Sequence, residues 1–122
     1  MLELAYLKSE EFAKADEPFI FRVIAYVKRH HTQNITLIDV CREFSCSHSL
    51  LSHAFKKSVG MSFREYITHL RIEDAKNLLL HSRLSVTEIA MSVGFSDSNY
   101  FSNVFKKSVG VSPLSFRKGK NT

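Results

Sequence analysis

Apolar side chains recur along the chain at intervals of three and four, and nowhere does a sustained apolar-polar alternation appear, so the pattern predicts an all-α protein. Ile20, Val23, Ile24 and Val27 form a first stripe that ends at Lys28, Arg29 and His30. Pro18 opens it, because the first turn of a helix tolerates a residue without an N–H. Thr36 and Asp39 open a second helix with Leu37, Val40, Cys41 and Phe44 inward. Ser47 caps a third that carries Leu51, Ala54 and Phe55 and closes at Gly60. Ser62 and Glu65 make a capping box, each side chain accepting the other's backbone N–H. From there Phe63, Tyr66, Ile67, Leu70, Ala75, Leu78 and Leu79 keep helical spacing to about Leu80. Ser85 and Glu88 repeat the capping box ahead of Val86, Ile89, Ala90 and Val93, and Gly94 stops that helix. The next starts from Ser96, turns Tyr100, Phe101, Val104 and Phe105 inward and ends at Gly110. Ser112 and Pro113 open a last short helix with Leu114 and Phe116. Residues 1–17, with Leu2, Leu4, Tyr6, Leu7 and Phe12, read either as a short amphipathic helix or as an N-terminal tail or linker remnant.

The six residues from Phe55 to Gly60 recur letter for letter from Phe105 to Gly110. Further back, Ser52 matches Ser102, Ser47 matches Ser96, Cys41 matches Ala90 and Val40 matches Ile89, which puts one extra residue between Ser96 and Phe105 in the second copy. Two copies make a duplicated module; a solenoid needs three or more. The organisation is therefore a first helix-turn-helix subdomain over residues 18–61, a linking helix over 62–80 and a second subdomain over 81–122.

Charge sharpens this picture. The chain carries a formal +5, but residues 1–17 hold five acids against two lysines, so residues 18–122 carry +8. Beyond Asp97 there is no acid, while Lys106, Lys107, Arg117, Lys118 and Lys120 follow, the footprint of a polyanionic partner. With 44% apolar residues the chain has enough to bury an ordinary core, and no apolar run approaches the roughly 18 residues of a membrane span. A cytoplasmic location is expected. Cys41 and Cys46 suit a reducing compartment as small apolar side chains.

Taken in order, Ile89 and Ala90, then Val93 to Asp97, Tyr100 to Ser102, Phe105 to Lys107, Gly110, Pro113, and Phe116 with Arg117 are specific enough to name a family. The chain resembles the DNA-binding domain of the AraC/XylS family of bacterial transcription regulators, over roughly residues 18–118. The resemblance implies about seven helices, two recognition helices in successive major grooves, and activation or repression through RNA polymerase. It often comes with an effector-binding domain upstream. A linking helix of about eighteen residues, roughly 27 Å, suits modules about one DNA turn apart.

Carried over by position, the base-reading candidates are Ser49, Ser52 and His53 in the first recognition helix and Ser98, Asn99, Ser102 and Asn103 in the second. All lie opposite the apolar face. Asn pairs bidentately with adenine, and no Arg stands ready for guanine, so modest discrimination and some reliance on DNA shape are expected. Lys56, Lys57, Lys106, Lys107, Arg117 and Lys118 are the phosphate candidates, with backbone donors added at the helix starts Ser47, Ser96 and Ser112. Ser45 departs from the pattern, because Gly94 holds the matching turn position; a serine there takes a positive φ or opens the turn differently.

Cys41, Cys46, His48 and His53 include zinc-ligand types, but the cysteines match core positions Ala90 and Phe95 and only one residue separates the Cys pair from the His pair, so no metal or cofactor is expected. Nor is an enzyme: no phosphate loop, paired carboxylates or nucleophile with a base appears, apart from surface groups such as His81 and Ser82. The competing reading is a basic helical domain that binds an acidic protein. The expected partners are double-stranded DNA and RNA polymerase, with no membrane. The expected state is a monomer as it stands, dimeric through an upstream domain if this is a C-terminal fragment.

Overall fold

The computed structural model describes the backbone of residues 9–119 and the side chains of residues 19–119. Among these are seven helices and no strand: α1 Ser9–His30, α2 Leu37–Phe44, α3 His48–Val59, α4 Phe63–His81, α5 Val86–Ser92, α6 Ser98–Val109 and α7 Pro113–Gly119. The described residues fall into two compact units, one of residues 9–30 and 35–66, the other of residues 31–34 and 67–119. The linking helix is apportioned between them: α4 gives residues 63–66 to the first unit and the remainder to the second. The first helix does not begin at Pro18. It is already helical at Ser9, the first described residue, and the stretch before the proline is rich in Glu, Ala and Lys, which favour a helix. The residues of the expected tail before Ser9 lie outside the described part.

The first unit buries Ile20, Val23 and Val27 of α1, Val40 and Cys41 of α2, and Leu51, Ala54 and Phe55 of α3. Phe44 closes the α1 side with edge-on contacts to Phe19 and Tyr26, at centroid distances of 5.9 and 5.7 Å. Phe55 does the same for α4, 5.8 Å from Phe63 and 5.5 Å from Tyr66.

The second unit buries Ile72, Ala75 and Leu79 of α4 with Ile89, Ala90 and Val93. Four rings continue that core in a chain, from Phe95 to Phe101 (5.2 Å), Phe105 (5.7 Å) and Phe116 (5.6 Å). Such ring pairs add roughly 0.5–1.5 kcal/mol each beyond their burial. Residues 31–34 are tied into this unit by Arg71, whose guanidinium donates to the carbonyls of His31 (2.6 Å) and Gln33 (2.9 Å). His31 also meets Asp74 at 2.6 Å.

Both turns use one device. After α2, Ser45 N–H donates to Arg42 O and Cys46 N–H to Cys41 O; after α5, Gly94 N–H donates to Met91 O and Phe95 N–H to Ala90 O. This pair of bonds is the Schellman ending, which brings the side chains of its outer two residues together. Those partners are Cys41 with Cys46 and Ala90 with Phe95. Burial pushes the Cys46 thiol above its ordinary pKa, and the Cys41 sulfur beside it adds to that.

Candidate nucleic-acid interface

α3 and α6 are each twelve residues long, and each ends at a glycine with positive φ, Gly60 at 87° and Gly110 at 99°. Their register is tighter than the sequence suggests. The cap of α3 is Ser47, but the cap of α6 is Asp97, so the two helices correspond at a constant offset of fifty from cap to final glycine. The extra residue of the second copy is Ser96 itself. The bond from Phe95 N–H to Ala90 O anchors the turn one residue earlier, which leaves Asp97 to take the cap. Ser96 is exposed but does not start the helix; Asp97 accepts from Asn99 N–H at 2.9 Å and Tyr100 N–H at 3.5 Å.

On α3 the buried face is Leu51, Ala54 and Phe55. Opposite it Ser49, Ser52, His53, Lys56 and Lys57 are exposed and, with His48, line a shallow open concavity. On α6, Phe101 and Phe105 are buried, and Asn99, Asn103, Lys106 and Lys107 are exposed. Ser98 and Ser102 are half-buried, and the Ser98 hydroxyl lies 3.3 Å from that of Thr87 on α5. The expected base-reading residues are thus brought together on the outer side of one helix in each unit, with two lysines in its last turn.

The helix starts differ in charge. Among α2 to α6, four carry a carboxylate on the capping turn: Asp39 on α2, Glu65 on α4, Glu88 on α5 and Asp97 on α6. Hydrogen bonds from the backbone N–H groups of Thr36 and Ser62 hold the Asp39 and Glu65 carboxyls below their ordinary values. α3 is the exception, capped by the neutral Ser47 hydroxyl, which accepts from Leu50 N–H at 3.1 Å. Its positive end therefore carries no carboxylate of its own. α7 has a similar cap, Ser112 accepting from Ser115 N–H at 3.1 Å.

Arg117 is half-buried. Its guanidinium turns inward and donates to the carbonyls of Leu79 (3.0 Å) and Ser82 (3.2 Å), satisfying acceptors left over at the end of α4. Lys118 beside it stays exposed. Tyr100 is a second difference. Expected inward, it is 56% exposed, and its counterpart Leu50 is 40% exposed. The offset of fifty pairs the two, but the aromatic run from Tyr100 to Phe105 disguises which of its rings face out. Ser45 adopts the left-handed conformation, φ 53° and ψ 50°.

Comparison with known proteins agrees with this geometry. A family model described as a helix-turn-helix domain matches residues 40–119. The transcriptional activator RhaR of Enterobacter sp. (strain 638) is 35% identical over 112 residues, 92% of this chain and 40% of that protein. The chain spans about 40% or less of the length of the curated relatives it matches. The C-terminal domain of AraT, a response regulator from Geobacillus stearothermophilus, superposes with a TM-score of 0.82 at 38% identity, covering 84% of this chain and 86% of that one. The DNA-binding domain of AdpA, solved in complex with a target DNA, shares the fold at a TM-score of 0.78 and 22% identity, with 82% and 90% covered.

Proposed function

The chain belongs to the AraC-type family of helix-turn-helix transcription regulators and is a DNA-binding domain of that family; from this we propose that it reads two adjacent major-groove segments of one duplex, one with α3 and one with α6. The observation that carries the reading is the matched pair of helices. Over the same twelve positions each buries its apolar face and turns outward a short polar row ending in two lysines. Side chains of that size and polarity suit base edges, and the lysines suit the phosphates that flank them.

Ser49, Ser52 and His53 read the first segment, and Asn99 and Asn103, with Ser98 and Ser102 at the margin, the second. Lys56, Lys57, Lys106, Lys107 and Lys118 bind phosphate, as do the backbone donors at the start of α3 beside Ser47; Ser112 is a candidate of the same kind on a shorter helix. Arg117 leaves this set because two of its guanidinium N–H groups are given to the carbonyls of Leu79 and Ser82, and Ser96 leaves it because an aspartate caps the helix behind it. Among the described residues no helix is long and apolar enough to cross a membrane, and the work proposed here belongs to the bacterial cytoplasm, on promoter DNA beside RNA polymerase. As it stands the chain acts as a monomer, since both reading helices lie in one polypeptide; an upstream domain would supply any dimer contact.

The test is selection of the purified chain against random duplexes at near-physiological salt, followed by sequencing. A bipartite, non-palindromic motif with halves about 10 base pairs apart is expected. A motif with one half only means that a single helix reads bases, and no enrichment at all would sink the proposal in favour of a basic protein-interaction surface.

A further inference from the structure

Leu50 and Tyr100 break the pattern of the helices that carry them. Every other apolar side chain on α3 and α6 is buried or half-buried, with Leu51, Phe55, Phe101 and Phe105 at 0% exposure against 40% for Leu50 and 56% for Tyr100. A single exposed leucine means little, because most proteins show some. Here the same position, third after the cap, is apolar and open in both copies, between outward neighbours that are Ser, His, Asn and Lys.

Residues three and seven further on share a ridge of a helix. One row of α3 therefore reads Leu50, His53, Lys57, and the same row of α6 reads Tyr100, Asn103, Lys107. In each row an apolar group stands at the N-terminal end, which is the end that a recognition helix brings to the base edges, and a lysine stands where the helix leaves them. Tyr100 is also braced. Its ring lies 6.0 Å from that of Phe95, which is buried and has the Arg71 guanidinium 5.6 Å from its centroid.

The major-groove edge of DNA offers one apolar group, the C5-methyl of thymine. The polar readers point the same way: Asn99 and Asn103 suit adenine, and neither row contains an arginine for guanine. We infer that Leu50 and Tyr100 are specificity-determining residues that read thymine through its C5-methyl, one in each half-site, so that both halves are A·T-rich. The inference rests on the two-groove reading above and deepens it.

The test replaces each thymine of the selected duplex, one at a time, with deoxyuridine, which removes the methyl and leaves the hydrogen-bonding edge unchanged. Binding by the unaltered chain should weaken about four-fold at one position in each half, which is about 0.8 kcal/mol, the transfer of one buried methyl-sized group from water. Leu50→Ala should lose the sensitivity in one half and keep it in the other, and Tyr100→Ala should do the reverse. Tyr100→Phe, which keeps the ring, should stay sensitive. Full tolerance of deoxyuridine by a chain that still enriches a motif overturns the inference and leaves the two-groove reading standing. So does an alanine variant that stays sensitive in both halves. Failure to enrich any motif brings both down. The deoxyuridine scan on the unaltered chain decides the matter even where a variant folds poorly.

Discussion

Ser45 and Gly94 stand at the same point of two turns built on the same pair of backbone hydrogen bonds, both with positive φ, 53° and 111°. Their surroundings differ. A Cβ placed on Gly94 would lie 2.7 Å from Arg71 Nε and 2.9 Å from the carbonyl oxygen of Thr32, and that carbonyl is backbone held in place by the Arg71 bonds on either side. Ser45 is exposed and keeps its side chain. A left-handed residue with a Cβ costs about 1–2 kcal/mol, which a protein tolerates; a Cβ inside van der Waals contact with fixed backbone is a different order of demand. The turn itself thus accepts more than glycine, and it is the close approach of residues 31–34 in the second unit that does not.

The largest effect should therefore come from Gly94→Ala, which adds both penalties at once and is expected to destabilise by about 2–4 kcal/mol in urea unfolding. A loss well under 1 kcal/mol would mean that the loop gives way easily and that the comparison is wrong. Next is Arg117→Ala. It strands the carbonyls of Leu79 and Ser82, so stability should fall by about 1–3 kcal/mol. The salt dependence of DNA binding should keep its slope, whereas loss of a phosphate contact would flatten it by about one unit. Smaller and opposite in sign, Ser45→Gly removes strain at the first turn and should stabilise by roughly 0.5–1 kcal/mol, read as a rise in denaturation midpoint; no gain would mean that Ser45 is not strained.

The subtlest contrast is with pH. Asp39 and Glu65, both in the first unit, are held below their ordinary values of 3.8 and 4.5 by backbone hydrogen bonds. A carboxyl with a lowered folded pKa contributes stability that is present above its unfolded pKa and lost as pH falls through the folded one. Thermal melting should accordingly weaken below roughly pH 4.5, and Asp39→Asn with Glu65→Gln should flatten that decline. An unchanged acid profile in the double variant would place the loss elsewhere.

Much of this was legible in the residues alone. The repeat, the capping boxes at Thr36, Ser62 and Ser85 and the glycine ends of α3 and α6 depend on neighbours a few positions away, and local chemistry specifies them. What escaped was decided at a distance or by competition. Ser96 and Asp97 are both good caps, and the choice between them turns on where Phe95 is anchored. Arg117 reads as one more cation in a basic tail until the carbonyls at the end of α4, more than thirty residues back, draw it inward. Tyr100 sits beside Phe101, and spacing alone does not say which of two adjacent rings is buried. For residues 9–17 both a helix and a tail were open, and the helix-favouring residues before the proline decide for the helix.

Residues 31–34 belong to the second unit although the chain reaches them before α2. Neither unit is a continuous stretch of polypeptide, so a single crossover near residue 66 would not exchange either unit whole. The recombinant would inherit Arg71 and Asp74 from one parent and the segment they hold from the other. The same threading sets a schedule during synthesis. A ribosome that has released everything up to Tyr66 has delivered the residues of the first unit, together with four that must wait for partners not yet translated.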